Sequence, residues 1–142
     1  GRGYLGGFGT QTAALGAGGY TSPPTVKHTS AETYDGSTWT ASTVLPIGRM
    51  MGAGSGTQTA AFYYGGSTTA PTVTAADGQT WDGLAWTTSP ASLGTGRRNL
   101  TGSPHGTSTT ALAVAGTAAP GDVTNTEEFT GAALATQTVT TS

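Results

Sequence analysis

Gly9-Thr10-Gln11-Thr12-Ala13-Ala14 returns letter for letter as Gly56-Thr57-Gln58-Thr59-Ala60-Ala61, 47 residues further on. A looser copy, Gly106-Thr107-Ser108-Thr109-Thr110-Ala111, begins another 50 residues along. The surroundings repeat in the same frame. Gly18-Gly19 matches Gly65-Gly66, with Ala115-Gly116 as the eroded third version. Tyr34-Asp35-Gly36 matches Trp81-Asp82-Gly83 and then Phe129-Thr130-Gly131, while Trp39 matches Trp86 and Leu134 takes that place in the third copy. Arg2 and Arg49 precede their Gly-Thr-Gln by one interval, and Arg97-Arg98 sits in a slightly lengthened version. Self-similarity at a fixed period marks a modular architecture. The chain divides into units at residues 1–47, 48–95 and 96–142.

Each unit reads as four short strands. In unit 2, residues 50–55 and 59–64 flank Gly56-Thr57-Gln58, a tight connection in which glycine supplies the unusual backbone angles. After Gly65-Gly66, residues 67–72 with Pro71 form the longest irregular stretch. Residues 73–81 make a third strand, Asp82-Gly83 turns the chain, and residues 84–88 make a fourth. Asp-Gly between aromatic-bearing segments is a strong hairpin signal. No stretch carries apolar residues at helical spacing over three turns. The class expected is all-β.

Composition agrees. The 142 residues include 24 Gly and 31 Thr but only 18 Leu, Ile, Val and Phe, a mix that disfavours helix and suits thin, close-packed β layers. The net charge of −2 with 8% charged residues lacks the charge that keeps disordered chains expanded. Five Lys+Arg against seven Asp+Glu leave no basic field for phosphates, so nucleic-acid binding is not expected. No apolar run reaches the roughly 20 residues of a membrane-spanning helix, and no export signal opens the chain; membrane insertion is not expected. Zero cysteines exclude disulfides and thiolate chemistry. The opening Gly-Arg-Gly, without an initiator Met, points to a processed product or a piece of a longer chain.

Gly-Gly after the second strand, an aromatic near the end of the third, a Trp in the fourth and an Arg before the next first strand together resemble the kelch repeat. The wording of Gly-Thr-Gln-Thr-Ala-Ala and Tyr-Asp-Gly-Ser-Thr-Trp is similar to that of low-charge kelch-like repeats in marine bacteriophage proteins. The resemblance implies three four-stranded β-propeller blades, strongly in units 1 and 2 and in degraded form in unit 3. Closed propellers have four to eight blades, so further blades are expected, from another copy or from the rest of a longer chain. Two copies would make a six-bladed ring. Glycine-, alanine- and methionine-rich first strands would lie near the axis, and Tyr34, Trp39, Trp81 and Trp86 would supply most of the buried area.

Chemistry is sparse. His28 and His105 are not equivalent in the repeat and have no His-x-x-His or acidic cluster beside them, so no metal site or cofactor is expected. Copper radical oxidases on kelch-like folds need a Cys-Tyr crosslink, which this chain cannot form. Glu127 and Glu128 are adjacent and would point to opposite faces of a strand, which suits no shared catalytic cleft. Gly52-Ala53-Gly54-Ser55-Gly56 lacks the Lys and helix of a phosphate loop, no serine lies in a nucleophile elbow, and Asn99-Leu100-Thr101, a formal glycosylation sequon, falls at the start of a first strand. Arg2, Arg49 and Arg97 or Arg98 are expected to bond carbonyls or a carboxylate of a neighbouring blade, the alternative being a ligand-facing ring of arginines. Recognition is expected in the variable loops Tyr20 to Lys27, Ser67 to Thr72 and Thr117 to Asp122.

The function these features imply is non-enzymatic: a structural or adhesion propeller in a virion or another extracellular setting, binding host-surface glycan or protein. Alternatives are the non-catalytic part of a secreted carbohydrate-active enzyme and an adaptor scaffold, which should carry more charge.

Overall fold

Runs of four or five residues closed off by Gly, Asp-Gly or Thr-rich turns leave room only for short strands, and the computed structural model is built from them. It describes residues 1–68 and 74–130 and the strand Gln137–Val139. Unit 1 supplies β1 (Gly6–Thr10), β2 (Ala13–Ala17), β5 (Ala31–Tyr34) and β6 (Trp39–Ser42), with a small hairpin of β3 (Tyr20–Thr21) and β4 (Val26–Lys27) between β2 and β5. Unit 2 supplies β7 (Ala53–Gly56), β8 (Ala61–Tyr64), β9 (Asp77–Trp81) and β10 (Trp86–Ser92). Unit 3 supplies β11 (Thr101–Gly102), β12 (Thr110–Val114), β13 (Thr126–Thr130) and β14 (Gln137–Val139). Each unit folds as one four-stranded antiparallel sheet, ordered β1-β2-β5-β6, β7-β8-β9-β10 and β11-β12-β13-β14. Among the described residues there is no helix.

The repeat survives as register. Ala14 lies opposite Tyr34, Ala61 opposite Trp81 and Ala111 opposite Phe129. The first turn also repeats: Gly9 and Gly56 take φ of 90° and 111°, and a β-carbon on either would collide with the carbonyl oxygen of Ala13 or Ala60. Some strand limits differ from the sequence expectation. Met50 forms only an isolated bridge to Ser67, and Met51 is left-handed (φ 58°), so the first strand of unit 2 begins at Ala53. The reversal after Gly56 closes between Thr57 and Ala60. Leu84 lies in the Asp-Gly turn and is 80% exposed, so the fourth strand starts at Trp86. Thr72, Val73 and Leu134 lie outside the described residues.

The sheets stack, with sheet 2 in the middle. Its β8 reads Ala61-Phe62-Tyr63-Tyr64, apolar throughout, and all four residues are buried because each face meets a neighbour. Tyr63, Trp81 and Trp86 pack on Phe8, Leu15 and Ala17 of sheet 1. Phe62 and Tyr64 pack on Ala111, Ala113 and Phe129 of sheet 3. The Phe8 ring meets Tyr63 edge-on at 5.9 Å, and Phe62 meets Phe129 edge-on at 5.2 Å, the geometry favoured by ring quadrupoles. First strands are small because they run side by side. A β-carbon on Gly54 would strike the Phe8 ring, and one on Gly102 would sit 3.0 Å from the Gly54 oxygen.

One expected core residue is not in the core. Trp39 is 55% exposed, whereas its equivalent Trp86 is 5% exposed. The face of sheet 2 that carries Trp86 is covered by sheet 1; the same face of sheet 1 has no sheet against it. Tyr34 is accordingly only half-buried, its ring 5.1 Å from that of Trp39. Trp86→Ala should cost about 3–5 kcal/mol, read as a lowered urea midpoint at an unchanged slope. An unchanged midpoint would contradict the packing of sheet 2 on sheet 1.

Candidate functional site

The repeated arginines come first because two of them carry full charges into the interior. Arg49 and Arg97 are fully buried. Arg49 donates to the Gly65 carbonyl, to the Asp77 carbonyl at 3.0 Å and to Asp77 Oδ2 at 2.6 Å. Arg97 donates to Asn125 O and Oδ1 (2.9 and 3.0 Å), to the Ala115 carbonyl at 3.4 Å and to Glu127 Oε1. Arg2 reaches Ser30 Oγ and Glu32. Each guanidinium therefore locks the Gly-Gly corner or third strand of its own sheet, not of a neighbouring one as expected, and the fully buried Arg49 and Arg97 present no side chain to a ligand. The planar fork of donors suits this role.

The partners follow a pattern that sequence reading missed. Ser30, Asp77 and Asn125 recur at the repeat spacing, and each offers its arginine a side-chain oxygen. The carboxylate migrates: Glu32 and Glu127 are equivalent, but unit 2 has Gln79 there and uses Asp77 instead. Buried Gln79 donates to the Ile47 carbonyl at 3.3 Å, while Glu127 Oε2 accepts from Gly94 N–H at 2.6 Å. In both cases the side chain fastens the segment that enters its unit. Glu127 is thus structural, and Glu128 faces the opposite side.

What crosses between sheets is backbone. Gly19 N–H donates to the Arg49 carbonyl and Gly66 N–H to the Arg97 carbonyl, both at 2.7 Å. Gly18 and Gly65 press against those same carbonyls with φ of 71° and 65°, a place no side chain fits. These bonds identify Arg97, rather than Arg98, as the repeat arginine. Arg98 pairs with Thr117 through two backbone bonds, as Met50 does with Ser67 and Gly3 with Tyr20. Tyr4, Met51 and Asn99, one residue further on, are all left-handed (φ 54°, 58° and 54°). Met51 N–H donates to Tyr4 O at 3.2 Å, and Asn99 N–H to Met51 O at 2.9 Å.

The expected loop sites fare unevenly. Tyr20 and Lys27 pair with one another in the β3–β4 hairpin. Ser67 is fully buried and bridged to Met50, so it belongs to the scaffold and not to a recognition surface; Thr72 lies outside the described residues. Thr117 hydroxyl donates to Asp122 Oδ1 at 3.0 Å in a small exposed turn. His28 lies 3.2 Å from the Thr21 hydroxyl, and His105 is exposed. No group of three or more His, Cys, Asp or Glu gathers among the described residues. Asn99 precedes β11 in its left-handed conformation.

The concave regions include two large ones. The first, about 470 Å³, lies on the uncovered face of sheet 1, where Arg2, Leu5, Gly16, Glu32 and Trp39 line it beside His28. The second, about 410 Å³, lies between sheets 2 and 3, lined by Phe62 and Phe129 with Thr80, Trp81, Asp82, Ser89, Ser108 and Thr109 around them. The two junctions differ at one turn position. At the junction of sheets 1 and 2, Gln58 Nε2 bridges to the carbonyls of Tyr34 (2.6 Å) and Ala14 (3.3 Å). At the junction of sheets 2 and 3 its equivalent is Ser108, too short to reach the matching carbonyls of Trp81 and Ala61. Comparison with protein-family models and with curated proteins finds no match.

Two outcomes test this scaffold. Arg97→Ala should cost about 3–5 kcal/mol by leaving Glu127 buried and unpaired, and Arg97→Lys should recover little of it, measured by urea unfolding; full recovery by Lys would refute the requirement for a fork. The Asp-Gly turns give a pH signature. Asp35 Oδ1 accepts from Thr38 N–H and from the amide and hydroxyl of Ser37, and Asp82 Oδ1 from the amides of Ala85 and Leu84, which holds both carboxyls below the usual range. A folded-state value below the unfolded one stabilises fully above about pH 4 and is lost as pH falls through the folded value. The Asp35→Ala, Asp82→Ala double variant should be less stable than the parent at pH 7, with the gap closing below pH 4; a pH-independent gap would contradict these turns.

Proposed function

We propose that the chain is a run of three kelch-like propeller blades serving as a non-enzymatic structural and adhesion module, in a bacteriophage virion or tail appendage, with glycan as the ligand. The blade reading is supported by three equivalent antiparallel sheets stacked face to face in one register. The virion setting draws its support from the resemblance of the repeat wording and from a Thr- and Gly-rich surface with few charges. Adhesion rests on one observation: where Gln58 bridges sheets 1 and 2, its equivalent Ser108 stands beside a groove with aromatic and hydroxyl side chains in its lining. Its volume is that of a small-ligand site. Hydroxyl and carbonyl groups there can exchange hydrogen bonds with a neutral sugar, and the Asp82 carboxylate stands at the rim.

The test is an array of neutral microbial glycans probed with the chain and with Ser108→Gln, which should restore the bridge to the carbonyls of Ala61 and Trp81. The chain should capture at least one glycan and Ser108→Gln should lose it by about tenfold or more. Equal capture by both would move the site elsewhere, and capture of none would leave a structural role alone.

A further inference from the structure

We infer that the uncovered face of sheet 1 is a docking surface for sheet 3 of a second copy of this chain, joined head to tail. The inference rests on the blade reading only for its expectation of ring closure; the junction itself is read from the sheets as they stack.

Each junction within the chain has the same parts. One sheet brings the outward side chains of its second strand; the next brings its third-strand aromatic, Trp81 or Phe129. Leu15 is 1% exposed beneath sheet 2 and Phe62 2% beneath sheet 3, but their equivalent Leu112 is 39% exposed, with Val114 at 37% beside it. On the other side, Leu100 is 8% exposed against sheet 2, whereas its equivalent Leu5 is 42% exposed alongside Trp39. The outer faces of sheets 1 and 3 thus present apolar side chains of the kind that a packed neighbour covers. The cavity of about 470 Å³ on sheet 1 lies on the face that, in sheet 2, a neighbour's Phe8 and Leu15 cover.

The backbone carries the same message with a direction. At both internal junctions the later sheet donates from its left-handed residue (Met51, Asn99) and accepts at its arginine carbonyl. At the open ends, Tyr4 N–H and the Arg2 carbonyl of sheet 1 have no partner among the described residues, nor do the Asn99 carbonyl and Gly116 N–H of sheet 3. A donor and an acceptor on one end meet an acceptor and a donor on the other. Gln11, exposed here, occupies the position from which Gln58 bridges to the preceding sheet, so it would reach the carbonyls of Ala111 and Phe129 in the second copy. Contact between unlike surfaces is heterologous and closes when the rotation allows. Two copies then form two identical junctions and a six-sheet ring.

Sedimentation equilibrium of the chain at high micromolar concentration should give the mass of two 14.0 kDa chains, and a single-chain mass would overturn the proposal. Trp39→Asp and Val114→Asp alter one exposed face each. Each alone should weaken association by more than about tenfold with its circular dichroism unchanged, while a mixture of the two should pair through the one intact junction. Association of Val114→Asp alone, or a mixture that stays monomeric, would overturn the head-to-tail arrangement. Glycan capture is scored separately, so its failure in an intact dimer would sink adhesion and leave this junction standing.

Discussion

The second glycine of each Gly-Gly pair donates its N–H to the carbonyl of the next unit's arginine, and the rest of the architecture is arranged so that this bond can form. The first glycine must lack a side chain because the same carbonyl lies against it. The arginine must be held still, and its own side chain does so by bonding the glycine corner and third strand of its sheet. The charge is tolerable in the interior because a carboxylate and several carbonyls surround it. One residue beyond, a left-handed backbone turns Tyr4, Met51 and Asn99 toward one another. Adjacent sheets are thereby held in register by backbone bonds as well as by their aromatic contacts.

Register then decides the packing. With first strands side by side, glycine predominates there and leaves room for the Phe8 ring over Gly54, while the remaining bulk sits in Phe62, Tyr63, Trp81, Trp86 and Phe129 of the later strands. A chain with so few aliphatic residues can form a core this way because each aromatic removes roughly 150–250 Å² from water. It also explains why sheet 2 is apolar on both faces while β12 alternates buried and exposed residues.

Much of this was legible in the sequence, since a repeat fixes equivalence without coordinates. The four-strand unit, the Asp-Gly turns and the correspondence of Trp39 with Trp86 all follow from the 47-residue shift. Equivalence, however, says nothing of environment. Trp39 and Trp86 have one sequence context and opposite burial, because burial depends on whether a sheet precedes. The Ser30, Asp77 and Asn125 series was hidden because three different side chains perform one task, and the groove was hidden because it lies where two sheets meet, which the repeat alone does not describe. Ser67 looked like loop and is scaffold, since its backbone closes the bridge to Met50.

Amide hydrogen exchange, resolved by residue, tests most directly whether backbone bonds between sheets hold the fold together. Gly19, Met51, Gly66 and Asn99 stand outside every strand, yet their amides should exchange as slowly as those of Phe62 and Tyr63, opening only with global unfolding. Fast exchange at these four positions beside protected strand amides would mean that the sheets are merely neighbours, and would contradict the coupling described here.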